Sequence, residues 1–405
     1  MDKSRPTAVL YGDLNMLRCF HNSGIPTYIL SSDPKELAFY STQCQQKKII
    51  ANPNVAPHQT VCDLVEFGKE FSVKPILFYG DDGMTRCISE NRSLLSNYYH
   101  FLLPPMERVT ELLDKALFIS LSKRLNLPSP KSVSSREAKS PKEVLQALSL
   151  PCVLKPTSHV GWFQSNVIIQ RGGVHHKALM AHSPDALDIL YEEVKKVTDE
   201  FVIQEYIPGG DNHIYSFHAY FNGRSEPMGY FSGRKIRTYP SGSGESAFIE
   251  LVNEPALVRI GIDILKRLDY VGFAKLDFKK DTNRNQFFLL EINPRFTLWN
   301  YLGAACGVNL PLLAYQDILE CSPMPQIHYV TNVKWLFFYY DVKSFLESYR
   351  KEGAPSFLQW VLSYQGKKIY NVFSWRDPYP FIVSCWRSFR AIFGAISRRL
   401  VKGKR

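Results

Sequence analysis

Two acidic residues fall within apolar strand patterns in the third quarter of the chain. Asp277 lies inside one apolar run and Glu291 ends the next, with a polar turn at 281–285 between them. A carboxylate in an apolar strand is costly to bury unless it is paired or binds a cation. Together with Asn293, these acids form an all-oxygen ligand set of the kind that binds Mg²⁺ beside nucleotide phosphates. The hairpin is therefore a candidate metal site.

A cation follows these oxygen ligands closely. Arg295 comes two residues after Asn293 and could hold an anion at the same site. The alternative interpretation is structural, with the two acids of the hairpin paired to nearby Lys275 or Arg295. The segment alone leaves both interpretations open.

Length and composition limit the class of protein. With 405 residues, the chain exceeds the roughly 250–300 residues at which one core stops growing, so we expect two or three domains. The hydrophobic content of 45% and charged content of 21% are ordinary for a soluble globular protein. The eight cysteines include no C-x-x-C pair, which argues against a disulfide framework or a zinc site. Without a signal-peptide pattern or a long uncharged apolar run, we expect a cytoplasmic protein.

The net charge of +11 is concentrated at the C-terminal end. Seven basic residues and no acid lie in 381–405, and subtracting these seven charges leaves +4 on the first 380 residues. Nucleic-acid binding needs a basic face on the folded body. We therefore expect no nucleic-acid partner.

The N-terminal third alternates apolar strand and helix patterns, which predicts a small parallel sheet with right-handed crossovers. The phosphate-binding fingerprint G-x-G-x-x-G is missing, so no dinucleotide site is predicted. Asp81 and Asp82 directly follow the strand pattern at 75–79. They could touch a ligand at the carboxyl end of the sheet, but a helix N-cap is the favoured interpretation.

Further cations lie upstream of the hairpin. Lys115 opens a helix pattern and Lys155 ends a strand pattern. The segment 204–211 ends another strand with an exposed acid and a glycine turn, and 234–237 places three cations within four residues. Cations that could bind phosphates, followed in sequence by oxygen ligands for a metal, indicate nucleotide-dependent phosphoryl transfer. In that reaction catalysis consists largely of positioning and charge stabilisation.

From about 115 to 319 the chain resembles the ATP-grasp superfamily. Within it, the chain is most similar to the carboxylate–amine ligase branch, which includes D-aspartate ligase and carbamoyl-phosphate synthetase. The most specific element is L-E-I-N-P-R at 290–295, preceded by Asp277. Q-E-Y-I-P-G at 204–209 is the second, and the stretch 230–240 is similar to that branch in particular.

The resemblance implies a mixed α/β and α+β architecture in three parts. A pre-ATP-grasp parallel-sheet domain is expected at 1–113. A two-lobed ATP-grasp domain would span 114–322, with its lid lobe at about 126–204. A C-terminal aromatic and basic appendix would occupy 323–405, ending in the amphipathic tail 381–405. The many aromatic residues at 333–380 are expected to pack on the body rather than stack with bases.

The resemblance also implies roles for individual residues. At ATP, it implies phosphate contacts from Lys115 and Lys155, base reading by Glu205 and the Ile207 backbone beside Gln204, and a ribose contact from Asp211. It implies that Asp277, Glu291 and Asn293 hold one or two Mg²⁺ (or Mn²⁺) ions and that Arg295 faces the transferring phosphoryl group. It also implies that the substrate carboxylate or the γ-phosphate is faced by the cations Arg234, Lys235 and Arg237. A guanidinium can clamp either anion in a bidentate manner.

One segment departs from the family pattern. Many members carry a glycine- and serine-rich loop soon after the second lysine, whereas 157–166 contains one glycine and two bulky aromatic residues. His159 in this stretch could be read as a base, but a lone loop histidine is more often polar surface.

The implied activity is ATP- and Mg²⁺-dependent ligation of a small-molecule carboxylate to an amine through an acyl phosphate. Cell-envelope or polysaccharide precursors are candidate substrates, and a homodimer is left open. The rival prediction is a non-catalytic nucleotide-binding or regulatory protein with the same fold.

The tail 381–405 has apolar residues every three or four positions among its cations. Two interpretations of it stay open, a membrane-surface helix and a helix docked on the body.

Overall fold

The computed structural model describes residues 5–157, 178–242, 244–349 and 355–402, with side chains only as far as 390 in the last range. The strands are β1 Ala8–Tyr11, β2 Thr27–Ser31, β3 Gln46–Ile49, β4 Ile76–Tyr79, β5 Ser132–Ser134, β6 Cys152–Pro156, β7 Leu179–Ala181, β8 Phe201–Glu205, β9 Ile214–Phe221, β10 Pro227–Tyr239, β11 Glu245–Leu251, β12 Gly272–Asp281, β13 Gln286–Asn293, β14 Lys334–Leu336 and β15 Lys368–Tyr370.

The helices follow the same order. The α-helices are α1 Leu14–Arg18, α2 Pro57–Gly68, α3 Asp82–Glu90, α4 Arg92–Leu95, α5 Met106–Leu113, α6 Lys115–Arg124, α7 Pro141–Ala147, α8 Pro184–Lys195, α9 Pro255–Arg267, α10 Trp299–Ala305, α11 Leu310–Ile318, α12 Phe338–Ser344, α13 Phe357–Leu362 and α14 Tyr379–Lys402. Short 3-10 helices lie at Leu37–Tyr40 and Asp211–His213, and a π-helix at Phe345–Tyr349.

The N-terminal domain contains the predicted parallel sheet, in the order β3-β2-β1-β4. All four residues of β1 are buried because helices cover both faces of the sheet. At the carboxyl end of β4, the Asp81 side chain accepts a hydrogen bond of 2.7 Å from the Met84 amide and caps α3. The N-cap interpretation of Asp81 is confirmed, and Asp82 is the first residue of α3.

A small antiparallel sheet in the order β5-β8-β6-β7 follows, and α7 and α8 pack against it. The central sheet has the order β13-β12-β9-β10-β11-β14-β15. Strand alternation gives this sheet two different faces. On β9, Phe217 and Ala219 face a core with α9, whereas Tyr220 faces a second core shared with the N-terminal domain, α10 and α11. Ser216 and His218 continue the Tyr220 face as polar positions, and the candidate site lies at this end of it.

The C-terminal segment packs on the body by extending the central sheet. β14 pairs with β11, and β15 pairs with β14, so both strands extend the central sheet. Trp335 on β14 is fully buried, and its ring nitrogen donates a 3.2 Å hydrogen bond to Asn15 on α1. The aromatic residues of this segment do pack as expected: Phe345 and Trp360 stack with ring centroids 4.6 Å apart.

The predicted tail helix is present as α14, which packs against the 3-10 helix Leu37–Tyr40 near its beginning. Within the described part of the chain, no helix combines the length and the apolar character needed to cross a membrane.

Candidate functional site

The hairpin of β12 and β13 brings the predicted oxygen ligands together. In the strand register Asp277 lies opposite Glu291 on β13 and opposite Ser216 on β9, and Lys275 lies opposite Asn293. Residues that face each other across a ladder share one side of the sheet. The polar face of the central sheet therefore carries two carboxylates, one amide and one ammonium group side by side.

Asp277 is held as a carboxylate by its neighbours. It is only 5% exposed, the Ser216 hydroxyl donates to its Oδ1, and the Lys275 ammonium lies 2.7 Å from its Oδ2. Burial by itself raises the pKa of Asp277, but Lys275 and Lys235 together with these hydrogen bonds outweigh it and lower the pKa to about 2. The pairing with Lys275 foreseen by the structural interpretation is thus present. It keeps Asp277 in the ionised form that a divalent cation requires.

Glu291 and Asn293 extend the oxygen set towards solvent. Glu291 is exposed, and the Asn293 amide nitrogen donates to its Oε1 at 3.1 Å. Arg295 donates to the Asn293 oxygen at 3.3 Å and also pairs with Asp82 of the N-terminal domain. Arg295 therefore connects the oxygen set to the beginning of α3.

The donor chemistry of this set fits a hard divalent cation. Mg²⁺ prefers one or two carboxylates, further oxygen ligands and phosphate oxygens. Asp277, Glu291 and Asn293 offer such oxygens on one sheet face. Among residues 5–157, 178–242, 244–349 and 355–390, no three His, Cys, Asp or Glu side chains gather into a metal-type cluster.

Lys155 reaches this region from β6 of the small antiparallel sheet β5-β8-β6-β7, called the lid sheet below. Its ammonium donates to Gln204 at 2.8 Å, and Gln204 donates to Ser132 at 3.0 Å, which fixes the glutamine between two strands. Burial is the main cause that lowers the pKa of Lys155 to about 8; Glu291 opposes this shift, and the Lys115 and Lys279 ammonium groups add to it. The lid lobe and the polar face of the central sheet therefore meet at Lys155.

Additional cations surround the same face. Lys115 contacts the Thr157 carbonyl oxygen at 3.5 Å, and Lys235 acts electrostatically on Asp277. Lys279 lies over the Tyr206 ring, 4.6 Å from its centroid, and burial lowers its pKa. Ser216, Lys275 and Lys279 were not among the predicted site residues. The period-two spacing of Lys275, Asp277 and Lys279 was the available signal for the two lysines.

Two predicted base-reading residues lie between the lobes. The Glu205 carboxylate pairs with Arg284 of the β12–β13 turn at 3.0 Å and accepts from the Lys131 amide at 3.3 Å. Ile207 is buried, with 3% of its surface exposed. A base contact from the Glu205 carboxylate would compete with the ion pair, so the backbone of this segment is the better candidate for that contact.

Asp211 has a structural role that the sequence analysis missed. Its carboxylate accepts hydrogen bonds from the Thr238 amide at 2.9 Å, the Thr238 hydroxyl at 2.7 Å, the Gly242 amide at 2.9 Å and the Tyr349 hydroxyl. These four donors occupy the carboxylate of a residue that is only 5% exposed. We therefore withdraw the predicted ribose contact of Asp211, which instead fixes the end of β10.

The three cations at 234–237 do not act together. Only Lys235 lies beside Asp277. Arg234, on the other side of β10, pairs with Glu250. A register shift after Lys235 aligns Arg237 with Phe248, and Arg237 forms a buried bidentate pair with Asp341 at 2.7 and 3.0 Å. Arg234 and Arg237 thus form structural ion pairs, in place of the predicted contacts with the substrate carboxylate or the γ-phosphate.

The loop after Lys155, with His159, lies outside the described residues.

Known proteins are similar to this chain in sequence and in fold. No family model matches the chain. The D-aspartate ligase of Enterococcus faecium is 24% identical over 269 residues, which cover 64% of this chain and 62% of that protein. The large chain of carbamoyl phosphate synthase from Pyrococcus furiosus is 20% identical over 278 residues, covering 62% of this chain and 25% of that protein. The chain thus spans less than two thirds of the length of either relative.

Solved structures share the fold. The biotin carboxylase of Campylobacter jejuni, in a complex with β-γ-ATP, matches with a TM-score of 0.60 and 13% identity, covering 78% of this chain and 71% of that one. A biotin carboxylase domain dimer from Hydrogenobacter thermophilus, in complex with MgADP, matches with a TM-score of 0.57 and 14% identity. The match covers 78% of this chain and 70% of that one. An L-amino acid ligase from Bacillus licheniformis matches with a TM-score of 0.57 and 12% identity. The match covers 78% of this chain and 75% of that one. The chain is therefore similar in sequence to D-aspartate ligase and shares the fold of these ATP-grasp structures.

Proposed function

We propose that this protein is an ATP- and Mg²⁺-dependent, ADP-forming ligase that activates a carboxylate as an acyl phosphate for attack by an amine. One observation carries the proposal. Lys155 of the lid sheet and Lys235, Lys275 and Asp277 of the central sheet converge on one polar face. An array of ammonium groups around ionised oxygen ligands is suited to a polyanion with a divalent cation.

The residues of the site divide this work. Asp277, Glu291 and Asn293 would hold Mg²⁺, which when bound supplies charge neutralisation at phosphate oxygens. Lys155 and Lys115 would bind the nucleotide phosphates from the lid side. Gln204 orients the Lys155 ammonium through their 2.8 Å hydrogen bond. Lys235 lies next to Asp277 and is the member of the 234–237 group that we retain for contact with phosphate or substrate carboxylate.

The substrates are narrower proposals supported by the relatives. D-aspartate ligase and L-amino acid ligase are named for joining amino acids. We propose small-molecule carboxylate and amine substrates, with a cell-envelope or polysaccharide precursor as the specific candidate, and action in the cytoplasm. A homodimer is proposed by analogy with the dimeric biotin carboxylase domain.

A non-catalytic nucleotide-binding role is the second candidate. The observation in its favour is the 2.7 Å pair of Lys275 with Asp277, which engages one of the metal-type oxygens. Catalysis requires that this oxygen be shared with the cation, whereas nucleotide binding alone does not.

Release of ADP from purified protein distinguishes the two roles. Wild-type protein with MgATP and a panel of amino acids should release ADP only with a matching acid and amine. Glu291→Ala should lower that rate roughly a hundredfold or more, because it removes a ligand at the developing charge. Glu226→Ala, on the exposed turn between β9 and β10, is the matched control and should match wild type. Unchanged ADP release by Glu291→Ala would refute the site assignment, and nucleotide binding without stimulated release would favour the second role.

A further inference from the structure

The C-terminal helix α14 exposes a stripe of large apolar side chains. Ile382 is 55% exposed, Trp386 61% and Phe389 54%. Their spacing of four and then three residues places them on one side of the helix. In the sequence the same spacing continues through Phe393, Ile396 and Leu400. We call the described part of this surface, Ile382, Trp386 and Phe389, the α14 stripe.

The attachment of α14 to the body turns the α14 stripe outwards. Arg387 lies about 100° around the helix from Trp386. Its guanidinium donates to the Lys35 carbonyl oxygen at 2.6 Å and to the Tyr40 hydroxyl at 3.0 Å. The helix therefore contacts the N-terminal domain through the side that carries Arg387, which leaves the apolar side facing solvent.

The charged residues of α14 itself are all basic. Seven basic residues and no acidic residue occur in 378–405. Where the helix meets the body, Arg387 and Lys47 both lie over the Tyr40 ring, at 5.0 and 5.7 Å from its centroid. A second copy of this helix would bring like charges together, which disfavours self-association through this surface.

We propose that the α14 stripe and its flanking cations bind the surface of an anionic lipid bilayer, with the helix lying in the plane of the interface. An interfacial helix combines large apolar residues, aromatic residues among them, on one side with cations on the other, and anionic headgroups attract those cations. The aliphatic Ile382 within the stripe favours acyl chains over a nucleic acid, whose phosphates and bases would call for cations and stacking rings. This inference does not rest on the proposed ligase activity.

Vesicle co-sedimentation of the full chain tests the proposal. Vesicles of equal parts phosphatidylglycerol and phosphatidylcholine should pellet wild-type protein, and added salt should weaken the binding because exposed charges are screened. Vesicles of phosphatidylcholine alone should pellet much less. Ile382→Ser combined with Trp386→Ser should abolish pelleting, and so should Arg390→Glu combined with Arg398→Glu.

Leu358→Ser is the matched control, since Leu358 on α13 is 66% exposed and lies outside the stripe. It should pellet like wild type. Far-UV circular dichroism checks that each variant is folded, and the charge variant tests the proposal independently of the apolar one. Equal pelleting of wild type and both variants would overturn the proposal. So would equal binding to neutral vesicles, or binding to a single-stranded oligonucleotide without binding to vesicles.

Discussion

Lys155 shows how burial adjusts a single group at the site. Its ammonium lies between the two lobes and near Glu291, Lys115 and Lys279. Removal from water disfavours the charged form and lowers the pKa of Lys155 to about 8, and the neighbouring ammonium groups act in the same direction. The binding of a polyanion would favour the charged form again. Phosphate binding and protonation of Lys155 should therefore be coupled.

This coupling predicts a pH-dependent affinity for ADP. The protonated form of Lys155 predominates below a pH of about 8 and declines above it. The affinity of wild-type protein for ADP should therefore fall as the pH rises through that value, by up to about tenfold per pH unit. Isothermal titration calorimetry over this range measures the effect.

The matched variants separate Lys155 from other lysines. Lys155→Arg should flatten the dependence because a guanidinium stays charged throughout. Lys142→Arg, on the exposed surface of α7 in the same lobe, should leave the wild-type dependence unchanged. An affinity for ADP that is level through pH 8 in wild type would contradict the role of Lys155.

The strand β10 determines which cations reach the site. Alternation places Arg234 and Lys235 on opposite sides. A regular strand would then return Arg237 to the side of Lys235, but the register shift aligns it with Phe248. An extra residue in one strand of a pair redirects the side chains that follow it. Arg237 consequently joins β10 to the C-terminal segment through Asp341.

The Arg237–Asp341 pair should matter for stability and not for the chemistry of the site. Both side chains are nearly inaccessible, at 4% and 0% exposure. Arg237→Ala should lower the free energy of unfolding by about 3–5 kcal/mol, because it leaves a buried carboxylate unpaired. Urea titration followed by circular dichroism measures this loss.

Arg234→Ala is the matched control on the same strand. Arg234 is 37% exposed beside Glu250, so its removal should cost only about 0–1 kcal/mol. Asp341→Asn in the Arg237→Ala background should restore part of the lost stability, because it removes the buried charge. Equal losses for Arg237→Ala and Arg234→Ala would show that the buried pair is not the main contribution.

Across the fold, the C-terminal segment shares a hydrophobic core with the N-terminal domain and the central sheet. Trp335 belongs to the core that also contains Leu10 and Phe78 of the N-terminal sheet and Phe231 of the central sheet. Its hydrogen bond to Asn15 adds a polar link to α1. Loss of this side chain should therefore affect all parts of the fold together.

Substitution of two tryptophans tests this integration. Trp335→Ala should lower the free energy of unfolding by about 3–5 kcal/mol, since it opens a large cavity in a shared core. Trp375→Ala removes a side chain that is 87% exposed and should change stability by only about 0.5 kcal/mol. Urea unfolding followed by far-UV circular dichroism compares them. A small loss for Trp335→Ala would indicate that the segment after 322 folds as a separate appendix.

The class of fold and the proximity of the hairpin oxygens can be predicted from the sequence. Local order along the chain was enough for both. Alternating strand and helix patterns predict the parallel sheet. Asp277, Glu291 and Asn293 lie on two strands joined by a short turn, so their proximity follows from sequence spacing.

Which distant polar groups lie together depends on how the whole chain packs. Asp211 and Arg237 have the residue types expected of ligand contacts. In the structure, however, Asp211 accepts hydrogen bonds from Thr238, and Arg237 donates to Asp341 of the C-terminal segment. Lys275 has no motif of its own and reaches Asp277 through the pleat of β12. A side chain's chemistry is read from its type, whereas its partner depends on strand register, bulges and burial, which arise only when the whole chain packs.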